Sequence, residues 1–102
     1  YIVVLFSFSL GGNMLFEKIK RNLRVSINSF DEDIRDLIEA AKKDMESHGV
    51  KKLEEDDPLI IRAVDLYCEC FFYLENKDSE RYLESYKSLR DHLSLAGDYN
   101  HE

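Results

Sequence analysis

The sequence has little of what common catalytic, phosphate-binding and redox motifs require. It contains one proline, four glycines, two cysteines and no tryptophan in 102 residues. It has no glycine-rich phosphate loop and no nucleophile elbow. The acidic run from Glu54 to Asp57 lacks the spaced oxygen ligands and the turn glycine of a calcium loop. We therefore expect no enzyme activity, no bound metal and no cofactor.

The two cysteines are not expected to bond to each other or to share a metal. Cys68 and Cys70 are two positions apart on a predicted helix, which places their side chains about 200° apart around its axis. At that angle they can neither form a disulfide nor bind one ion. Their pattern is typical of core packing in a reduced, intracellular setting.

Charge and length further limit the class of protein and the number of domains. Charged residues make up 34% of the chain and the net charge is -7, which disfavours binding to a phosphate backbone as the main activity. No basic patch of the size that reads DNA is present. A chain of 102 residues has the size of a single domain.

The first thirteen residues differ from the rest. Residues 1–10 carry no charge, and Gly11, Gly12 and Asn13 interrupt the apolar run just before Met14. The run is too short for a membrane span and lacks the start of a signal peptide. It is either a translation artefact with Met14 as the natural start, or an authentic apolar strand or arm that docks on a partner. We treat residues 1–13 as an apolar leader that is not native or not part of the fold.

The first two predicted helices are amphipathic. One covers about residues 14–23 and carries Lys20 among the charged residues of its solvent-facing sides. The other opens with a capping box of Ser29 and Glu32 and stops at Gly49. The predicted buried stripe of the second helix comprises Ile34, Leu37, Ile38, Ala41 and Met45.

The third predicted helix is the most apolar. Asp57 can cap its backbone N–H groups, and Pro58 suits the first helical position. Its apolar face is wider than one partner helix can cover. We therefore expect an all-α bundle of four helices, with this third helix at its centre. Some of its neighbours could then belong to other copies of the chain. The face is formed by Ile60, Val64, Tyr67, Phe71 and Leu74, widened by Ile61, Cys68 and Phe72.

The fourth predicted helix starts at a cap formed by Asp78 or Ser79 and is stopped by Gly97. Its inner face should carry Tyr82, Tyr86, Leu89 and Leu93. We therefore expect one helical domain over residues 14–97. Nothing in the pattern requires residues 98–102, a short polar tail, to be ordered in the monomer.

These segments, in this order and spacing, resemble the small helical head-tail connector proteins of long-tailed phages and prophages, which are often labelled DNA-packaging proteins. The resemblance covers residues 15–100. It is carried by IKRNLRV at 19–25, FDEDI at 30–34, LIEAA at 37–41, DPLIIRAV at 57–64 and SLAGDYN at 94–100.

The resemblance implies a structural role without catalysis. Members of this family form a ring, of twelve subunits by this resemblance, beneath the phage portal protein after DNA packaging. The ring joins the head to the next neck or tail-completion protein, and DNA passes through its channel without sequence-specific binding. The implied location is the virion neck, after assembly in the bacterial host cytoplasm, with no membrane involved.

A ring requires a heterologous interface, in which one surface of a subunit meets a different surface of the next. We expect Leu66, Cys70 and Tyr73, on the outer flank of the third helix, to contribute to it together with a flank of the second or fourth helix. The alternative is that the first helix covers them within one chain. A second candidate is a tail that orders on a partner, comprising Leu95, Gly97, Asp98, Tyr99 and Asn100.

Two functions of other classes remain open. A small intracellular helical regulator or adaptor would use the same amphipathic helices and form a stable homodimer without affinity for a portal. An enzyme would need a pocket with convergent polar groups, and the sequence supplies no such set.

Overall fold

The computed structural model describes residues 10–73 and 75–101, with side chains from residue 14 onward. Over these residues it consists of four helices without a strand. The helices are α1 (Leu10–Asn22), α2 (Asp31–Ser47), α3 (Pro58–Phe71) and α4 (Ser79–Leu95). The predicted all-α fold with four helices is therefore confirmed.

Helix α1 begins at Leu10, earlier than the predicted start at Met14, so Gly11 and Gly12 lie inside the helix. The expectation for residues 1–9 lies outside the described residues. The assignment of Lys20 to a solvent-facing side is wrong, because its side chain is only 11% exposed and its ammonium lies 2.8 Å from Asp31. A long lysine stem can pack on apolar surface while its charged end reaches a partner. The buried residues of α1 include Leu15, Phe16, Ile19 and Leu23.

Arg24 ends α1 in a left-handed conformation, with φ of 64°. The Val25 N–H donates to the Lys20 carbonyl at 3.2 Å and the Arg24 N–H donates to the Arg21 carbonyl at 3.0 Å. These two bonds form the usual left-handed helix stop, a position that glycine most often occupies. They turn the chain towards α2.

The predicted capping box of α2 is wrong. The N-cap is Phe30, and no side chain caps the helix. A box with Ser29 at the N-cap needs Glu32 at the third helical position, but the helix starts one residue later and places Asp33 there. The predicted stop is confirmed, because α2 ends at Ser47 and Gly49 follows with φ of 101°.

The predicted start of α3 is confirmed. Asp57 Oδ1 accepts the Leu59 N–H at 2.8 Å and the Ile60 N–H at 3.4 Å, and Pro58 is the first helical residue. Helix α3 contacts each of the other three helices. Phe71 was predicted to be buried but is 48% exposed, because it lies in the last turn of α3 beside an open groove. Leu74 lies outside the described residues.

The C-terminal segment is more ordered than the sequence predicted. Asp78 occupies the N-cap position of α4 but makes no side-chain cap, and the helix ends at Leu95. The Tyr99 carbonyl accepts the N–H groups of Lys51 at 2.7 Å and Lys52 at 3.2 Å. The Tyr99 hydroxyl donates to Asp57 Oδ2 at 2.9 Å. The cap of α3 therefore also anchors the segment after α4, which sequence periodicity does not reveal.

All four helices contribute to one hydrophobic core, which includes Ile19 of α1, Ile38 of α2, Val64 of α3 and Tyr86 of α4. A polar cluster joins α2 to α4 at the edge of this core. Within it, Asp44 accepts a hydrogen bond from the Tyr86 hydroxyl at 2.6 Å and lies 3.0 Å from Nη1 of Arg90.

Candidate functional site

An open groove with a volume of about 1010 Å³ lies where the C-terminal ends of α1 and α3 meet the start of α2. Its walls come from the link after α1, from one side of α2 and from the end of α3. We call it the apolar groove. Its lining residues are Arg24, Val25, Ser26, Ile27, Phe30, Asp33, Asp36, Leu37, Ala40, Phe71, Phe72 and Tyr73.

The groove gathers apolar side chains that a single chain leaves open to solvent. Ile27 is 56% exposed, Phe71 48%, Phe30 42% and Tyr73 40%. Single exposed apolar residues are normal, but a contiguous group of them marks an interaction site. Aromatic residues are also enriched at the centres of protein interfaces. The groove therefore has the composition of a surface that another protein chain covers.

Aromatic packing holds the floor of the groove in place. The ring of Phe72 packs edge-on against Phe30, with centroids 5.7 Å apart, and against Tyr73 at 5.0 Å. The Tyr73 hydroxyl donates to the Leu23 carbonyl, which ties the end of α3 to the end of α1. Burial raises the pKa of Tyr73, so this hydroxyl keeps its proton at neutral pH and remains a donor.

The charges of the groove are mostly acidic. Asp33 and Asp36 line it from α2, and both are exposed. Within residues 14–73 and 75–101, neither aspartate takes part in an ion pair. Arg24 adds one positive charge from the link. A partner surface with an apolar centre and a positive rim would match this pattern.

The structure separates the three predicted interface residues. Leu66 is 4% exposed and belongs to the core, and Cys70 is 7% exposed. Tyr73 lines the apolar groove. The interface role of all three stays a prediction, but only Tyr73 has a large exposed surface in the single chain.

The predicted tail residues lie at the other end of the bundle. Leu95 is 83% exposed. Gly97, Asp98 and Asn100 are also exposed, whereas Tyr99 is half-buried and packs against the core. Their role in partner binding stays a prediction.

Sequence reasoning missed Ile27, Phe30 and Phe71. The first two are large apolar residues in a link where Ser26, Asn28 and Ser29 are polar, and this was the signal in the sequence that could have identified them. Phe71 follows the helical spacing of the α3 core face, so periodicity alone placed it inside.

The two cysteines lie outside the groove and are buried. Burial raises the pKa of Cys68 to about 12, so its thiol stays protonated, and both cysteines are free and buried. Among the described residues, no three His, Cys, Asp or Glu side chains are arranged to hold a metal ion. No helix in this part of the chain combines the length and the hydropathy of a membrane span.

Comparison with known proteins identifies the family. A family model described as "Phage connector protein" matches residues 15–100, a range that covers α2, α3, α4 and most of α1. No curated protein matches the chain, and no solved structure does. The match confirms the resemblance found in the sequence. The chain therefore belongs to the phage connector protein family and has the structural, connector-type role of that family in the phage particle.

Proposed function

We propose that this chain is the subunit of a head-tail connector ring. The ring forms beneath the phage portal after DNA packaging and joins the head to the next neck or tail-completion protein. The observation that carries this proposal is the family match over residues 15–100. The resemblance implies twelve subunits and a position at the virion neck.

The apolar groove supports an assembling role. A chain that works alone gains nothing by leaving Ile27, Phe30, Phe71 and Tyr73 about half exposed in one place. Full burial of an exposed apolar side chain of this size is favourable by about 1.5–3 kcal/mol, so covering the exposed half of each would be favourable by part of that amount. A subunit that is covered by other chains after assembly keeps such a surface for that purpose.

The net charge of -7 is compatible with a channel through which DNA passes. Like charges repel, so acidic side chains that face the channel would not hold the phosphate backbone.

The proposal is tested in a phage that carries this protein. Without it, we expect DNA-filled heads that lack tails in electron micrographs, and the intact chain supplied in trans should restore joined particles. Phe71→Asp, in the groove, should fail to restore them. Ser88→Asp is the matched control, because it adds the same charge at an exposed site of α4 outside the groove.

Circular dichroism of both variants separates loss of joining from loss of folding. The proposal is wrong if heads and tails join at the normal rate in the absence of the protein.

A further inference from the structure

The shape and the charge of the apolar groove select the kind of partner that it can bind. Its exposed apolar side chains are those of Ile27, Phe30, Phe71 and Tyr73, and its rim carries two aspartates. We propose that the groove binds an amphipathic helix of a different protein, with large apolar side chains along its centre and lysine or arginine along its flank. This inference deepens the proposed function and rests on it, since that protein would belong to the phage particle.

The walls of the groove suit a helix. One wall is a single face of α2 over two turns, about 10 Å long, and the other includes the end of α3. Ala40 is small and half-buried in the first wall, so a second helix can come close to α2 there. A peptide strand needs the edge of a sheet, and the described residues form no strand. The α2 residues of the wall are Asp33, Asp36, Leu37 and Ala40.

Two carboxylates give the rim its charge. Asp33 and Asp36 are exposed, and within residues 14–73 and 75–101 neither takes part in an ion pair. Arg24 also lines the groove. It opposes the rise in pKa that burial and Asp65 cause in Glu69, so it lies near a carboxylate of its own chain. The two aspartates therefore favour a partner with positive charges beside its apolar face.

Other basic side chains near the start of α2 are already held within the chain. The Lys20 ammonium lies 2.8 Å from Asp31 Oδ1 and donates to Asn28 Oδ1 at 2.8 Å. The Arg35 guanidinium lies over the ring of Phe16, 3.9 Å from its centroid. Neither basic residue lines the groove. The positive charge that complements the rim therefore has to come from the partner.

A second copy of this chain is a poor occupant of the groove. A symmetric contact between two grooves would bring Asp33 and Asp36 towards their own copies, and like charges repel. An asymmetric contact needs another exposed apolar surface. Outside the groove, the large apolar residues that the described part of the chain exposes are Met14, Leu59 and Leu95.

The surroundings of these three residues are acidic. Met14 shares a cavity with Lys18 and two carboxylates. The Leu59 N–H donates to the cap Asp57, and the turn after Leu95 reaches the same aspartate. The acidic rim of the groove would repel such a surface, so the groove favours a different protein. The carboxylates of this region, which outnumber Lys18, Lys51 and Lys52, are Glu54, Glu55, Asp56, Asp57 and Asp98.

The contact is tested with a synthetic helical peptide as the probe. The peptide has about four turns, with leucines and one tryptophan on its apolar face and lysines along its flanks. The full chain has no tryptophan, so the fluorescence reports only the surroundings of the peptide. We expect a blue shift and saturable binding on titration with the full chain. The same peptide with glutamates in place of the lysines should bind about tenfold more weakly.

Variants of the chain locate the binding. Phe71→Asp should weaken binding of the lysine peptide by more than about tenfold, although it adds a negative charge. Ser88→Asp adds the same charge at an exposed site outside the groove and should bind like the parent. Circular dichroism of each variant shows whether it is folded.

A second pair of variants tests the rim. Asp33→Asn with Asp36→Asn should weaken binding of the lysine peptide about fivefold, because both flanking ion pairs are lost. Glu46→Gln with Glu84→Gln removes the same charge at exposed sites outside the groove and should have little effect.

Three results would overturn the inference. The first is equal binding by the Phe71→Asp and Ser88→Asp chains, because the peptide would then respond only to overall charge. The second is a glutamate peptide that binds as tightly as the lysine peptide. The third is a lysine peptide that does not bind while Phe71→Asp abolishes self-association of the chain, because a second copy would then occupy the groove.

Complementation of the phage separates this inference from the connector proposal. A chain that restores joined particles but does not bind the lysine peptide overturns the groove contact and leaves the connector proposal standing. A chain that binds the peptide in the groove, but whose absence does not affect the joining of heads and tails, supports the contact and counts against the connector proposal.

Discussion

At the scale of single residues, Asp65 is a carboxylate that the core of the chain covers. Its side chain is 10% exposed, and Nη1 of Arg62 lies 3.4 Å from its Oδ2. Its Oδ1 atom is buried without a hydrogen-bond partner. Burial raises the pKa of Asp65, while Asn22 and Arg62 oppose the shift. The fold therefore favours the protonated acid, and the ionised form lowers stability at neutral pH.

Asp65→Asn should raise the free energy of unfolding by about 1 kcal/mol at pH 7. Because the folded pKa lies above the ordinary 3.8, the cost of ionisation grows as the pH rises through the folded pKa. It is absent below pH 3.8. The gain of the variant should therefore shrink on acidification, as measured by urea unfolding at several pH values.

The control is Asp56→Asn, at an exposed site, which should change stability by less than about 0.5 kcal/mol. An Asp65→Asn chain less stable than the parent at pH 7 would show that the carboxylate is satisfied by its surroundings.

Arg24 combines backbone strain with a place in the groove. A left-handed backbone costs a residue with a side chain roughly 1 kcal/mol, and its φ is 64°. Arg24→Gly should therefore raise the free energy of unfolding by about 0.5–1 kcal/mol. Arg21→Gly, inside α1, should instead lower it by about 1 kcal/mol. Urea unfolding of both variants checks the opposite signs, and equal losses would contradict the account.

At the scale of helices, the polar cluster of Asp44, Tyr86 and Arg90 fastens α2 to α4. Burial raises the pKa of Asp44, but the hydrogen bonds from Tyr86 and Arg90 outweigh it and leave that pKa below 3.8. The ionised carboxylate therefore stabilises the fold above pH 3.8. That contribution is lost as the pH falls through the lowered folded pKa.

Tyr86→Phe keeps the buried ring and removes the hydroxyl that donates to Asp44. We expect it to lower the free energy of unfolding by about 1–2 kcal/mol at pH 7, with a smaller loss at pH values acidic enough to protonate Asp44, whose pKa lies below 3.8. Thermal unfolding followed by circular dichroism measures both. Tyr82→Phe, half-buried on the same helix, is the control and should have little effect. The opposite ranking of the two variants would contradict the account.

The segment after α4 should contribute to the stability of α3. A chain that ends at Gly97 loses the bonds of Tyr99 to Lys51, Lys52 and Asp57. We expect it to unfold about 1–3 kcal/mol more easily, with faster amide exchange at Leu59 and Ile60. A chain that ends at Asn100 keeps these bonds and should match the parent. Equal stability of all three chains would show that the segment does not support α3.

The sequence predicted the helices well where local signals and periodicity agree. Asp57 and Pro58 mark the start of α3 because a cap and a first-turn proline act within four residues. Gly49 marks the end of α2 for a similar local reason. The periodicity of α2 also identified Ile34, Ile38, Ala41 and Met45, all of which are buried.

The sequence failed where a local turn without a clear signal, or contacts between distant segments, decide the structure. The capping box at Ser29 is out of register by one residue, because the start of α2 follows a turn in which the Asp31 N–H donates to Asn28. The tail is ordered by a hydrogen bond from the Tyr99 hydroxyl to Asp57, two residues that are 42 positions apart in the sequence. The groove could not be predicted either, because Phe71 has the spacing of a core residue, and only the packing of the helix ends leaves it open.

At the scale of the molecule, one hydrophobic core joins all four helices, while the side chains of the apolar groove and of Leu95 stay exposed. The family match shows a connector-type structural role. These features together fit the proposed subunit, whose exposed apolar surfaces other chains would cover after assembly. The central claim is that this subunit assembles into a ring on a portal.

The measurement that tests this claim most directly is the mass of the full chain in solution, determined by light scattering over a concentration series, alone and with a candidate portal protein. The account predicts a large closed assembly, alone or on the portal, and its loss in Phe71→Asp but not in Ser88→Asp. A tight dimer whose mass does not change when the portal protein is added would contradict the account and favour a homodimeric regulator.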